Sequence, residues 1–340
     1  MFISEQYESM EFCRSQVKKL IFFPLFLKIR IVRIESMKMK RTAPLLLVLA
    51  LAASCLLPGS QVQAEENQNE ETQVPYAWIA PSAMNETITD LAARQATLDL
   101  AGPVLTDRIE TLLSQDDLEG LWSVYICLED GTPVVDISGE EPMTAASTIK
   151  LFVAAAVMDQ YETLCDRYGQ ESVDGLLKAM LVISDNDSAT ELVSMLGDGN
   201  TDAGKSAVNT WCEEQGYTGT FLGILFTGVD YTGSYNATSA QDTARFMCAL
   251  LGNQFKGADR ILTIMGESQR LEKIPSALPE NTRTANKTGE LDFTENDTCV
   301  IFGDRQTYVV SVLSDEVLHD QAIPLIQEIS AAAWDVLGRE

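Results

Sequence analysis

Residues 122–128 are almost continuously apolar, with β-branched and aromatic side chains, and residues 134–137 return to that composition after Glu129-Asp130-Gly131-Thr132. Asp-Gly between two such runs predicts a β-hairpin. Upstream, residues 89–100 carry a helical pattern that Gly102-Pro103 is expected to break, with a second helical piece over 106–113. From residue 147 to about 252 the period becomes helical throughout. Residues 148–161 are apolar almost all the way round, which predicts a helix inside the core rather than on its surface. Further helices are expected over 173–183 and from Ser188, where Ser188-x-x-Glu191 fits a capping box, to Gly197. Strand patterns then reappear at 283–287, 298–302 and 307–313, the last two separated by Gly303-Asp304-Arg305. A final helix over 320–337 holds Pro324 in its first turn. Strands at both ends and helices between them predict an α+β fold. One antiparallel sheet is assembled from both chain ends, flanked by helices, with an all-α region inserted over about 147–260. The crevice between sheet and helical region is where a site is expected.

The first 64 residues read differently. From Met39 the chain runs Met-Lys-Arg-Thr, then an apolar stretch over 43–57, then Val62-Gln63-Ala64 before an acidic segment. A basic start, an apolar middle and small residues before the cut describe a secretory signal peptide, with cleavage expected after Ala64. A lipoprotein attached through Cys55 is the weaker alternative, since the usual leucine three residues earlier is missing. Residues 1–36 precede this signal and suggest a start codon assigned too early; if Met1 is genuine, the apolar stretch would serve as an N-terminal anchor. An acidic linker over 65–88 then leads to a catalytic domain over 89–340.

Removing the leader sharpens the charge. Of 24 basic and 50 acidic residues, 9 and 4 lie within residues 1–64, leaving a net charge of −31. Such a surface excludes nucleic acid or anionic lipid as an electrostatic partner and fits a self-repelling exported monomer. Five cysteines remain, an odd number that leaves at least one thiol unpaired, and none sits at a metal-ligand spacing. The chain has a single histidine, His319, so zinc is not expected, and neither is a Ser-His-Asp triad unless that residue reaches the site. A hydrolase built on this sequence must find its base elsewhere.

Lysine is the candidate. Ser147 and Lys150, in Ser147-Thr148-Ile149-Lys150, are three apart at a helix start and share a face. A lysine whose pKa is lowered by burial and by nearby cations takes the proton of a serine hydroxyl, and a helix N-terminus offers a backbone N–H to an oxyanion. Alone, the pair reads equally as an N-cap serine and a solvated lysine. Ser184-Asp185-Asn186 supplies a second hydroxyl and an amide at a helix–loop junction, though alone it reads as a capping turn. Lys287-Thr288-Gly289, on an expected strand, offers a cation and a hydroxyl to a carboxylate, with a glycine that admits close approach; alone it reads as an edge-strand lysine.

In this order, Ser-x-x-Lys, Ser-Asp-Asn and Lys-Thr-Gly form the penicillin-recognising set. The chain resembles the class A β-lactamases over about residues 122–337. The resemblance implies a β-lactamase/DD-peptidase-like fold and residue roles without cofactor or metal. Ser147 would attack, Lys150 would activate it, and Ser184 would pass a proton to the leaving nitrogen. Asn186 would bind the acyl side-chain amide, and Lys287 and Thr288 the substrate carboxylate. The N–H groups of Ser147 and of Glu290, just past Gly289, would form the oxyanion hole. The implied partner is a small β-lactam or a cell-wall peptide; DD-peptidase-like or esterase activity, or a non-catalytic peptide-binding role, are the alternatives.

The sequence departs from the family in two places. The Glu-x-x-Leu-Asn motif, whose glutamate activates the deacylating water, is missing; its position falls near Phe226, with Asp230 four residues on as a substitute. The first two motifs are also closer together than usual, which predicts a more open cleft.

Overall fold

The computed structural model describes residues 88–115, 118, 120–227 and 235–339. The signal peptide, the acidic linker up to residue 87 and Asp230 lie outside the described residues, and residue 88 is the first of a helix. Among the described residues no helix is long and apolar enough to cross a membrane.

The chain opens with α1 (Ile88–Leu113), followed by β1 (Leu121–Leu128), β2 (Pro133–Ile137) and the short β3 (Met143–Thr144). A 3₁₀ turn, Ala146–Ile149, leads into α2 (Lys150–Asp159), then α3 (Tyr161–Tyr168), α4 (Gln170–Val182), α5 (Asn186–Leu196) and α6 (Thr201–Glu214). Next come β4 (Ala237–Thr238), α7 (Ala240–Leu251) and α8 (Ala258–Met265). The chain closes with β5 (Arg283–Leu291), β6 (Thr294–Phe302), β7 (Thr307–Asp315) and α9 (His319–Ala333), which ends in a π turn, Trp334–Gly338. The main sheet is antiparallel in the order β2-β1-β7-β6-β5, so strands from both chain ends meet at β1 and β7. The α+β architecture read from the strand and helix pattern is the one observed.

β1 reads as an unbroken apolar run because both of its faces are covered. Val124, Ile126 and Leu128 pack with Leu105 and Ile109 of α1 and Ile326 and Ile329 of α9. Tyr125 and Cys127 point the other way, into the core of the helical region. There α2 is buried at every position from Lys150 to Met158, as its uniformly apolar sequence requires. Phe152 centres an aromatic cluster, with ring centroids 5.1 Å from Tyr217 and 5.0 Å from Phe246. Phe152→Ala is expected to cost about 3–5 kcal/mol, read as a lower urea midpoint with an unchanged slope.

Several boundaries differ from the sequence expectation. Gly102-Pro103 does not split the first helix: α1 is continuous with Pro103 inside it. Packing overrides the local signal, because α1 must lay Leu105 and Ile109 against the sheet. Gly102 lets it approach so closely that a Cβ there would lie 3.1 Å from the Val134 carbonyl oxygen. α5 begins at Asn186 rather than near Ser188. Its cap is Asp185, whose carboxylate accepts from the Ser188 N–H at 2.7 Å, so Ser188-x-x-Glu191 lies inside the helix rather than at its cap. β5 and β6 also extend further toward their shared hairpin than expected, to Leu291 and from Thr294.

Candidate active site

The turn that carries Ser147 is pinned from several sides. The Ala145 N–H donates to the Asn236 carbonyl at 2.8 Å, and the Asn296 side-chain amide donates to the carbonyls of Thr144 at 2.8 Å and Ala145 at 3.1 Å. Pairing of β3 with β4 holds the same segment against residues 237–238. So constrained, Ala146 adopts φ 46°, a conformation L-residues avoid. β5 then crosses directly beside the turn. A Cβ on Gly289 would lie 2.9 Å from the Ala145 oxygen and 3.1 Å from the Ser147 nitrogen, so only glycine brings this strand so close to Ser147.

An open cleft of about 400 Å³ is lined by Ser147, Ser184, Asn186, Arg270, Thr288 and Glu290, among others. A larger concavity of about 790 Å³ between α1 and β2 holds neither serine nor lysine in its lining, and chemistry rather than size identifies the site. Ser147 is half-buried on the 3₁₀ turn, and Lys150 is fully buried one turn on. The Lys150 ammonium donates to the Ser184 carbonyl at 2.7 Å, to Asn186 Oδ1 at 2.6 Å and, weakly, to Ser184 Oγ at 3.4 Å. No hydrogen bond joins it to Ser147 among the described residues. Lys287 comes from the opposite wall, donating to Ser184 Oγ at 2.8 Å and to the Thr288 carbonyl at 2.8 Å. Ser184 thus bridges the two lysines, and its φ of 61° is a second strained backbone point at the site. Asn186 is exposed at the rim, and the exposed Glu290 side chain pairs with Arg270 at 2.9 Å.

Burial governs the electrostatics. Desolvation lowers the Lys150 pKa to about 8; Arg270 lowers it further and Asp185 opposes the shift. Lys287 is pushed well below the usual lysine range by burial and by Lys150, with Asp297 opposing. Burial raises the Asp297 carboxyl to about 7, against the pull of Lys273 and of hydrogen bonds from Asn286 and the Ile274 N–H.

The site residues read from the sequence come together around this cleft. Sequence reasoning missed Arg270, Lys273 and Glu295, and left open whether the sole histidine reaches the site; His319 does line the cleft. Glu295 and Asp297 escaped notice because Thr294-Glu295-Asn296-Asp297 is polar and the apolar strand pattern begins at residue 298, whereas all four are buried strand residues. His319 itself, being unique, was a signal available in the sequence. Ligand atoms of Glu290, Glu295 and His319 lie within 4.8 Å of one another, although Glu295 already pairs with Lys273 and His319.

Phe226 lies where the family's water-activating glutamate was sought. Its ring centroid is 5.0 Å from the Lys150 ammonium. An aromatic face there stabilises a cation but accepts no proton.

A family model described as the β-lactamase enzyme family matches residues 104–164 and 166–337. Among solved structures, an ancestral (GNCA) class A β-lactamase is 21% identical with a TM-score of 0.59, over 68% of this chain and 100% of its own. A β-lactamase from Xanthomonas campestris pv. campestris is 17% identical with a TM-score of 0.59, over 69% and 98%. PBP-A is 20% identical with a TM-score of 0.58, over 68% and 95%. At these identities the structural likeness is one of fold. A search of curated protein sequences finds no match. With the family model spanning well over half of its length and the three motifs in their expected elements, the chain belongs to the β-lactamase enzyme family, among the penicillin-recognising serine hydrolases.

Proposed function

We propose that the protein is an exported serine hydrolase that forms an acyl-enzyme on Ser147 with β-lactams or related cell-wall amides, and that it releases the acyl group slowly. The observation carrying this reading is the meeting of Ser147, Lys150, Ser184 and Lys287 in one cleft, with Lys150 buried and its pKa lowered toward neutrality. Neutral Lys150 takes the Ser147 proton as Oγ bonds to the carbonyl carbon. The oxygen becomes negative and is met by the N–H groups of Ser147 and Glu290. As the C–N bond breaks, the Ser184 hydroxyl gives its proton to the nitrogen and recovers one from the Lys150 ammonium. Lys287 and Thr288 hold the substrate carboxylate, and Asn186 the acyl side-chain amide. Export rests on the signal-peptide pattern ending at Ala64.

A non-catalytic peptide binder has no use for a lysine buried beside a serine, and an esterase has no need of the Lys287-Thr288 pair. Slow release follows from Phe226, which has no lone pair to activate water. The test is incubation of the folded mature protein with benzylpenicillin, following intact mass. A persistent adduct on Ser147 supports the reading, whereas neither adduct nor drug loss would overturn it for β-lactams. Acylation is also expected to rise with pH around a midpoint near 8, because only neutral Lys150 accepts the proton. Stopped-flow acylation rates between about pH 6 and 10 measure this, and a flat profile would remove Lys150 as the base.

A further inference from the structure

Lys273 belongs to none of the three motifs, and the mechanism above makes no use of it. It is fully buried just ahead of the 3₁₀ turn Ile274–Ala277. Its ammonium donates to the Gly289 carbonyl at 3.0 Å and to the Asn296 carbonyl at 3.0 Å. It also forms an ion pair with Glu295, equally buried, whose Oε2 faces the ammonium without a directional hydrogen bond. The other Glu295 oxygen contacts His319 Nδ1 at the cleft rim. Removing two charges from water is costly, and apolar side chains of similar volume often serve stability equally well. The pair therefore invites a functional account, and its position provides one.

The Gly289 carbonyl and the Glu290 N–H belong to one peptide unit. In a planar trans peptide these groups point in opposite directions. Lys273 bridges Gly289 and its cross-strand partner Asn296, so it holds the carbonyl on the side of β6. β5 is the edge strand, with no neighbouring strand on its other side among the described residues, and its residues Thr288 and Glu290 line the same cleft as Ser147. The Glu290 N–H is thereby directed away from β6, toward the cleft.

We propose that Lys273, held in place by Glu295, is a positioning residue for the oxyanion hole. It fixes the Gly289–Glu290 peptide and polarises it through the carbonyl, which makes the Glu290 N–H a stronger donor to the oxygen that turns negative when Ser147 attacks. The inference rests on the acyl-enzyme reading. A preset donor contributes to the transition state far more than to ground-state binding. The effect should therefore fall on the rate of acylation and not on the affinity for intact substrate.

Lys273→Met keeps most of the length of the side chain but removes its charge and its donors. With benzylpenicillin, the acylation rate constant is expected to fall about 10²–10³-fold, while the dissociation constant of the preceding non-covalent complex stays within about threefold. Affinity for a boronic acid, whose tetrahedral adduct places an oxygen in the hole, should fall in parallel. Lys273→Arg should restore most of the rate. If Lys273→Met does not fold, Glu295→Gln decides, with an expected loss of about tenfold in the same rate constant. A folded variant that acylates at the wild-type rate, or that loses affinity and rate equally, would overturn the proposal. Wild-type protein that reacts with neither penicillin nor boronate would instead overturn the acyl-enzyme reading itself.

Discussion

Ser147→Ala is expected to abolish covalent labelling by benzylpenicillin while leaving the protein folded. The half-buried Ser147 hydroxyl makes no hydrogen bond among the described residues, so its removal leaves no buried partner unsatisfied. Ser184 is the other serine in the cleft, but its hydroxyl is engaged by Lys287 at 2.8 Å and sits across from the Gly289 edge. Only Ser147 stands beside that edge, with its own nitrogen next to Gly289. Intact-mass measurement should show unmodified protein after hours with excess drug, at an unchanged melting temperature. An adduct that persists in this variant and maps to Ser184 would reassign the nucleophile.

Phe226→Glu is expected to have the next largest effect, and in the direction of gained activity. The wild-type ring lies 5.0 Å from the Lys150 ammonium and offers no general base. A carboxylate in its place would draw a proton from water next to the acyl ester, and positioned general bases contribute about 10²–10⁴-fold. The adduct lifetime should shorten by at least about 10²-fold, with continuous drug hydrolysis seen at 240 nm. The same carboxylate favours the charged form of Lys150, so the pH midpoint of acylation should rise above 8 even as release accelerates. An unchanged lifetime together with that upward shift would mean that slow release has a cause other than Phe226.

Much of the architecture was legible in the sequence because burial leaves a direct trace. β1 and α2 are apolar at nearly every position since both are covered all round, and the three motifs fall at the turn, loop and strand where their chemistry requires them. Two of the misreadings share one physical cause, long-range contacts that override local preference. Gly102-Pro103 stays inside α1 because the sheet holds that helix from outside. Thr294-Glu295-Asn296-Asp297 is polar, yet it forms strand because Lys273, Asn286 and Ser314 satisfy its polar groups. Lys273 carries no motif, and only the folded chain brings it beside Gly289.

The pairing of β1 with β7 has a consequence in time as well as in space. Leu121 finds its partner in Asp315, close to the C-terminal end, and Lys287 reaches Ser184 only when β5 is in place. Contacts so distant along the chain form slowly, after local helices have already condensed. A growing chain therefore carries Ser147 long before it carries the strand that brings Lys287 to Ser184. On the proposed mechanism reactivity waits for the last strands, so that a chain ended before them presents the serine without the lysine that reaches Ser184.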